Sequence, residues 1–81
     1  MIMETKVISL NGDTFRFECE YIDLHGKGFA HTCKLSRNGH ELCTEQADYL
    51  NRTWEAYPYQ TVMLMCAKKV ADNAELIIKL K

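Results

Sequence analysis

His31-Thr32-Cys33 and His40-Glu41-Leu42-Cys43 bring two histidines and two cysteines close together in the chain, and these are the ligand types of a structural zinc site. Such a site needs four donors converging on one ion at about 2.0 to 2.3 Å. The same residues suggest a second chemistry, since a cysteine becomes a nucleophile when a neighbouring cation stabilises its thiolate and a histidine serves as base. Cys33 with His31 is the local pair for that role. Both chemistries depend on where the backbone sends these side chains.

Two Asn-Gly dipeptides, Asn11-Gly12 and Asn38-Gly39, each lie between arms of alternating apolar and polar residues. That is the strongest short-range signature of a two-residue β-hairpin. In the first hairpin Leu10 then opposes Asp13 and Ile8 opposes Phe15. One face collects Ile2, Ile8, Leu10, Phe15, Phe17, Cys19 and Tyr21, with Glu4 and Lys6 intruding near its edge; Thr5, Ser9, Thr14, Arg16, Glu18 and Glu20 take the other. A one-residue slip would put the aromatic residues in water, so the register is well specified. Residues 23–28 read as a flexible connection with two glycines.

The second hairpin is expected over residues 29–37 and 40–46. Uninterrupted pairing out from its turn places Phe29, Cys33, Leu35 and Leu42 on the apolar face and Thr32, Lys34, Ser36, Glu41, Cys43 and Glu45 on the other. Cys33 and Cys43 then point to opposite faces, and His31 and His40 lie roughly 20 Å apart at the usual strand rise. The histidines read as surface residues. No metal, cofactor or catalytic residue is expected from this set.

Pro58 suits a first helical position, because its missing N–H would be unpaired there in any case. Tyr59, Val62, Met63, Cys66, Ala67, Val70 and Ala74 follow at helical spacing. Gln60, Thr61, Lys68, Lys69 and Asp72 fall opposite. Cys19 and Cys66 sit on core faces, where cysteine acts as a small hydrophobe. Leu76, Ile78 and Leu80 alternate, and although Leu76, Ile77 and Leu80 also fit a helix, residues 75–81 are read as a last strand. The expected fold is α+β, an antiparallel sheet of about four strands covered on one face by a single C-terminal helix.

At 81 residues the chain is one domain, of a size at which a single core is just adequate and dimerisation would help. Apolar and charged fractions of 47% and 26% are ordinary globular values. A net charge of -1 speaks against an electrostatic nucleic-acid binder, whose affinity comes from clustered Lys and Arg. No stretch has the length of a membrane span, and Met1-Ile2-Met3-Glu4 lacks the basic start and apolar run of a signal peptide. The expectation is a cytoplasmic protein whose Cys19, Cys33, Cys43 and Cys66 are reduced thiols.

Half of the aromatic residues fall between Tyr49 and Tyr59. Trp, Tyr and Arg are enriched at interface hot spots, and the same residues also serve to close the end of a small core with their polar tips wet. Asn51-Arg52-Thr53 matches a glycosylation sequon, a coincidence in a cytoplasmic chain. Leu64 and Met65 lie well off the core stripe of the helix beside Lys68 and Lys69, as a patch facing a partner or a second copy would. Arg52, Trp54, Tyr57, Leu64 and Met65 are therefore the candidate partner-binding residues.

Asn51-Arg52-Thr53-Trp54-Glu55, followed by Tyr57 and Tyr59-Gln60-Thr61-Val62, resembles a motif of small uncharacterised proteins encoded by bacteriophages and mobile elements. In those proteins, too, a few strands lead into the motif and a short helix. The resemblance implies a phage or mobile-element accessory protein acting in the cytoplasm of a host bacterium. Small proteins of that origin often block host factors, inhibitors of CRISPR immunity among them. It carries over no functional residues. The expected function is non-enzymatic binding of a host macromolecule, most concretely steric inhibition of a bacterial defence protein in the anti-CRISPR manner. The alternatives are a nucleic-acid-binding module using Lys34, Arg37, Lys68 and Lys69, and a structural homodimer.

Overall fold

The structure is a computed structural model that describes residues 4–23, 29–49, 59–70 and 73–81. Four strands, β1 (Glu4–Leu10), β2 (Asp13–Asp23), β3 (Phe29–Arg37) and β4 (His40–Tyr49), precede two helices, α1 (Gln60–Ala67) and α2 (Asn73–Leu80). The strands form one antiparallel sheet in the order β1-β2-β3-β4, so each pairs with its neighbour in sequence. Both helices lie against the sheet, α1 on β3 and β4, and α2 on β1 and α1. The α+β architecture is the expected one.

Both hairpins close as their turn residues dictate. Asn11 and Asn38 have φ of 51° and 49°, and Gly12 and Gly39 have φ of 84° and 85°; positive φ at both central positions is the type I′ requirement. Asn38 also joins the hairpins: its N–H donates to the Thr14 carbonyl at 2.8 Å and its Oδ1 accepts from the Thr14 N–H at 2.9 Å. In β1 and β2 the register is the expected one, with Leu10 opposite Asp13 and Glu4 opposite Cys19. Phe15, Phe17 and Cys19 are accordingly buried.

The β3–β4 pair departs from the uninterrupted register. Arg37 opposes His40 and Ser36 opposes Glu41, but Leu35 then opposes Cys43, so a bulge leaves Leu42 as an extra residue. Beyond the bulge every side chain of β4 changes face. Leu42, expected in the core, is 45% exposed; Cys43 and Ala47, the former expected on the outer face, pack on the core instead. The reason lies further along the strand. An unshifted register would turn Thr44 and Gln46 inward, whereas the shifted one turns them to solvent and packs Ala47 partly against the core.

Among the described residues the cover over the sheet is two helices, not one, and residues 75–80 are helical rather than a last strand. Val62, Met63, Cys66 and Ala67 form the buried stripe of α1, and Val70 packs on the core beyond its end. The last turn tightens, with Lys69 N–H donating to the Cys66 carbonyl and Val70 N–H to that of Ala67, both one residue short of α-helical spacing. The chain then restarts at Asn73, with Glu75 in the first turn of α2 and Lys79 in the last. These charges match the helix dipole at both ends. Leu76 and Leu80 are buried, while Ile78 is 70% exposed; a strand would have put all three on one side, and a helix separates them.

The core therefore lies between one sheet face and the two helices, around Phe17, Leu35, Val62 and Leu76, none of which is exposed. Each such side chain contributes roughly 1.5–3 kcal/mol by leaving water. Leu42→Gln and Ile78→Glu are expected to change unfolding free energy by no more than about 0.5 kcal/mol, against about 2–5 kcal/mol lost in Leu35→Ala and Leu76→Ala. Urea unfolding of the four variants checks the bulge and the second helix together.

Candidate functional site

The shift in β4 assembles a group of thiols beneath α1. Cys19 of β2 and Cys33 of β3 are directly opposed, and their thiols touch. Cys66, from the buried stripe of α1, lies against Cys33 and Cys43; its Sγ donates to the Cys33 carbonyl at 3.4 Å. The Cys43 thiol donates in turn to the Cys66 carbonyl at 3.7 Å. The sulfurs thus form a line from Cys19 through Cys33 and Cys66 to Cys43.

Position along this line sets the acidity of the Cys33, Cys66 and Cys43 thiols. Hydrogen bonding to Cys19 and Cys66, with burial added, pushes the Cys33 thiol far above its ordinary value. Burial first and the adjacent Cys66 second push Cys43 up to about 11. Cys66 moves down, because the Cys33 thiol and then the Cys43 thiol stabilise its sulfur against the opposing effect of burial. At neutral pH the Cys33 and Cys43 thiols are protonated, and a thiol is a far weaker nucleophile than a thiolate. Cys43 alone of the four is not fully buried.

Cys33 and Cys43 consequently share a face, contrary to the expectation from uninterrupted pairing. His31 also differs from expectation: it is buried at 4% exposure, its ring 4.7 Å from that of Tyr59 and 6.2 Å from that of Tyr21. It packs as an aromatic residue between two tyrosines. His40 is exposed beside the second turn. Among the described residues no group of three or more His, Cys, Asp or Glu side chains has an arrangement that would hold a metal ion.

Glu45, also turned inward by the bulge, is an acid with only 15% of its side chain exposed. The Lys69 ammonium, from the turn after α1, forms an ion pair with it, and this carboxylate raises the Lys69 pKa in return. Burial of a carboxylate requires such a partner. Two further cations are similarly engaged: Lys34 faces Glu18 at 3.9 Å and Arg37 donates to Asp13 at 2.5 Å. Lys34 stands on the open face of the sheet and Lys69 on the helical side, so these two cations do not share a surface.

Of the candidate partner-binding residues, Leu64 and Met65 are adjacent on α1 and half-buried, Leu64 packing partly against the core. Arg52, Trp54 and Tyr57 lie outside the described residues. A cleft of about 510 Å³ is lined by Glu4 and Lys6 of β1, Tyr59, Gln60 and Met63 at the start of α1, and Leu80 at the end of α2 with Lys81 after it. Gln60 Nε2 donates to the Leu80 carbonyl at 3.3 Å across it. Sequence reasoning missed both the cleft and the thiol line. The cleft needs α2, and the thiol line needs the bulge. A signal for each exists: Asn73 and Glu75 favour a helix start, and polar Thr44 and Gln46 with apolar Cys43 and Ala47 argue for a change of face.

No protein-family model, curated protein or solved structure matches the chain. No helix among the described residues is long and apolar enough to cross a membrane.

At the hairpin tips, hydrogen bonds from Asn38 first and Arg37 second hold the Asp13 carboxyl below its ordinary value of 3.8. A carboxyl so lowered contributes stability above its unfolded pKa, lost as pH falls through the folded value. In an NMR titration the Asp13 midpoint is expected below 3.8, moving upward in Asn38→Ala and less so in Arg37→Ala. Equal midpoints in all three proteins would contradict the network.

Proposed function

We propose that this chain is a non-enzymatic accessory protein of phage or mobile-element origin that binds a macromolecule in the cytoplasm of a host bacterium. Its concrete form is a steric, anti-CRISPR-like inhibitor of a defence protein. The supporting observation is the adjacency of α1 to the Asn51-Arg52-Thr53-Trp54-Glu55 motif: the helix begins just after the motif and offers Leu64 and Met65, neither fully buried, as apolar contact groups. Arg52, Trp54 and Tyr57 would supply the aromatic and guanidinium anchors that dominate interface energetics.

The chemistry of the described side chains favours binding over catalysis. The thiols are taken up in packing, with Cys33 and Cys43 held protonated. A nucleic-acid-binding reading gains little, because Lys34, Arg37 and Lys69 each face a carboxylate and counterion release requires cations free to meet phosphates. The homodimer draws no specific support.

Affinity capture from a bacterial lysate, with the chain as bait, tests the reading. Trp54→Ala and Met65→Glu are each expected to reduce recovery of a specific protein partner at least tenfold, with far-UV circular dichroism unchanged. Met65 is preferred to Leu64 because Leu64 also packs on the core. Recovery in wild type should vary little between about 50 and 200 mM salt, a range over which phosphate-driven binding weakens by orders of magnitude. A partner retained by both variants, or a recovered partner that is nucleic acid, overturns the proposal.

A further inference from the structure

The line of thiols ends at a place where solvent can reach it. Cys19, Cys33 and Cys66 are at most 1% exposed, and each is shut off by the sheet and α1. Cys43 is half-buried at the margin of α1, hydrogen-bonded to the backbone of Cys66 and in contact with its thiol. An accessible thiol beside a buried one on a different element is the arrangement of an attacked cysteine and its resolving partner.

We propose that Cys43 is a modification site for low-molecular-weight disulfides, and that Cys66 resolves the adduct to a Cys43–Cys66 disulfide joining β4 to α1. With oxidised glutathione the steps balance. The Cys43 sulfur, having given its proton to solvent, attacks one glutathione sulfur; the new S–S bond forms as the glutathione disulfide breaks, and one glutathione thiolate leaves and takes up a proton. The Cys66 sulfur, giving up its own proton, then attacks Cys43, and the second glutathione departs as a thiol. Two protein thiols are oxidised, and one glutathione disulfide is reduced to two glutathione molecules.

Cys66 suits the second step, because its sulfur already touches Cys43 and the neighbouring thiols favour its thiolate. The first step is slow at neutral pH. The groups facing Cys43 are the Cys66 thiol of α1, Glu45 of its own strand and Lys69 from the turn after α1, and of these only Lys69 favours the Cys43 thiolate. The attack therefore quickens with rising pH and does not level off before about 11. The resulting bond would close a loop of roughly 24 residues in the chain, and that loop carries Arg52, Trp54 and Tyr57. Oxidation would in this way tether both ends of the segment bearing the proposed contact residues, although the chemistry itself does not rest on the binding proposal.

Incubation of the folded chain with oxidised glutathione, followed by acid quenching, intact mass measurement and non-reducing peptide mapping, is the test. Wild type is expected to lose two hydrogens and to yield a Cys43–Cys66 cross-linked peptide, faster at pH 9 than at pH 7 by about the ratio of thiolate fractions, close to a hundredfold. Cys66→Ser should stop at one glutathione on Cys43, and Cys43→Ser should stay unmodified. Wild type with all thiols free after prolonged exposure, a stable adduct on Cys43 without cross-link, or a cross-link that pairs Cys19 with Cys33 each overturns the proposal.

Discussion

One unpaired residue in β4 decides what lies beneath the first helix. Because side chains of a strand alternate with a period of two, a single bulge reverses the facing of every residue after it. Leu42 is lost to solvent, and Cys43, Glu45 and Ala47 are gained by the helical side. From that exchange follow the continuation of the thiol line to Cys43, the ion pair of Glu45 with Lys69 and the packing of Ala47 on the core.

The chain accepts an exposed leucine and an inward glutamate in return. The leucine is a modest loss, since isolated apolar residues on a surface are common. The glutamate is the more demanding, as a half-desolvated carboxylate needs a counterion within reach. Lys69 meets that need from the turn at which α1 ends. The same turn tightens to hydrogen bonds spanning three residues instead of four and so ends α1, and α2 packs against β1. Bulge, buried acid and helix break thus act together, each making the next tolerable.

Sulfur fills the centre of this small core, where Cys19, Cys33 and Cys66 join Phe17, Leu35 and Val62 as fully enclosed side chains. Thiols of this kind pack as small hydrophobes and satisfy one another with weak hydrogen bonds. Most of the line is inert for that reason. The chemistry proposed for it is confined to the end at Cys43, where burial is incomplete.

Local residue order was sufficient for the two hairpins, because an Asn-Gly pair with positive φ fixes both turn type and the pairing of adjacent residues. It was sufficient too for the stripe of α1, where Val62, Met63, Cys66 and Ala67 recur at helical spacing, and for the four strands of the two hairpins. It did not settle the facing of β4 or the form of residues 75–80. In each case two local patterns compete with similar merit, and packing against elements distant in the chain, α1 on β4 and α2 on β1 and α1, accompanies the form adopted. The grouping of four cysteines spread from position 19 to position 66 is likewise a product of tertiary structure, since only the docking of α1 on the sheet brings the Cys66 sulfur against those of Cys33 and Cys43.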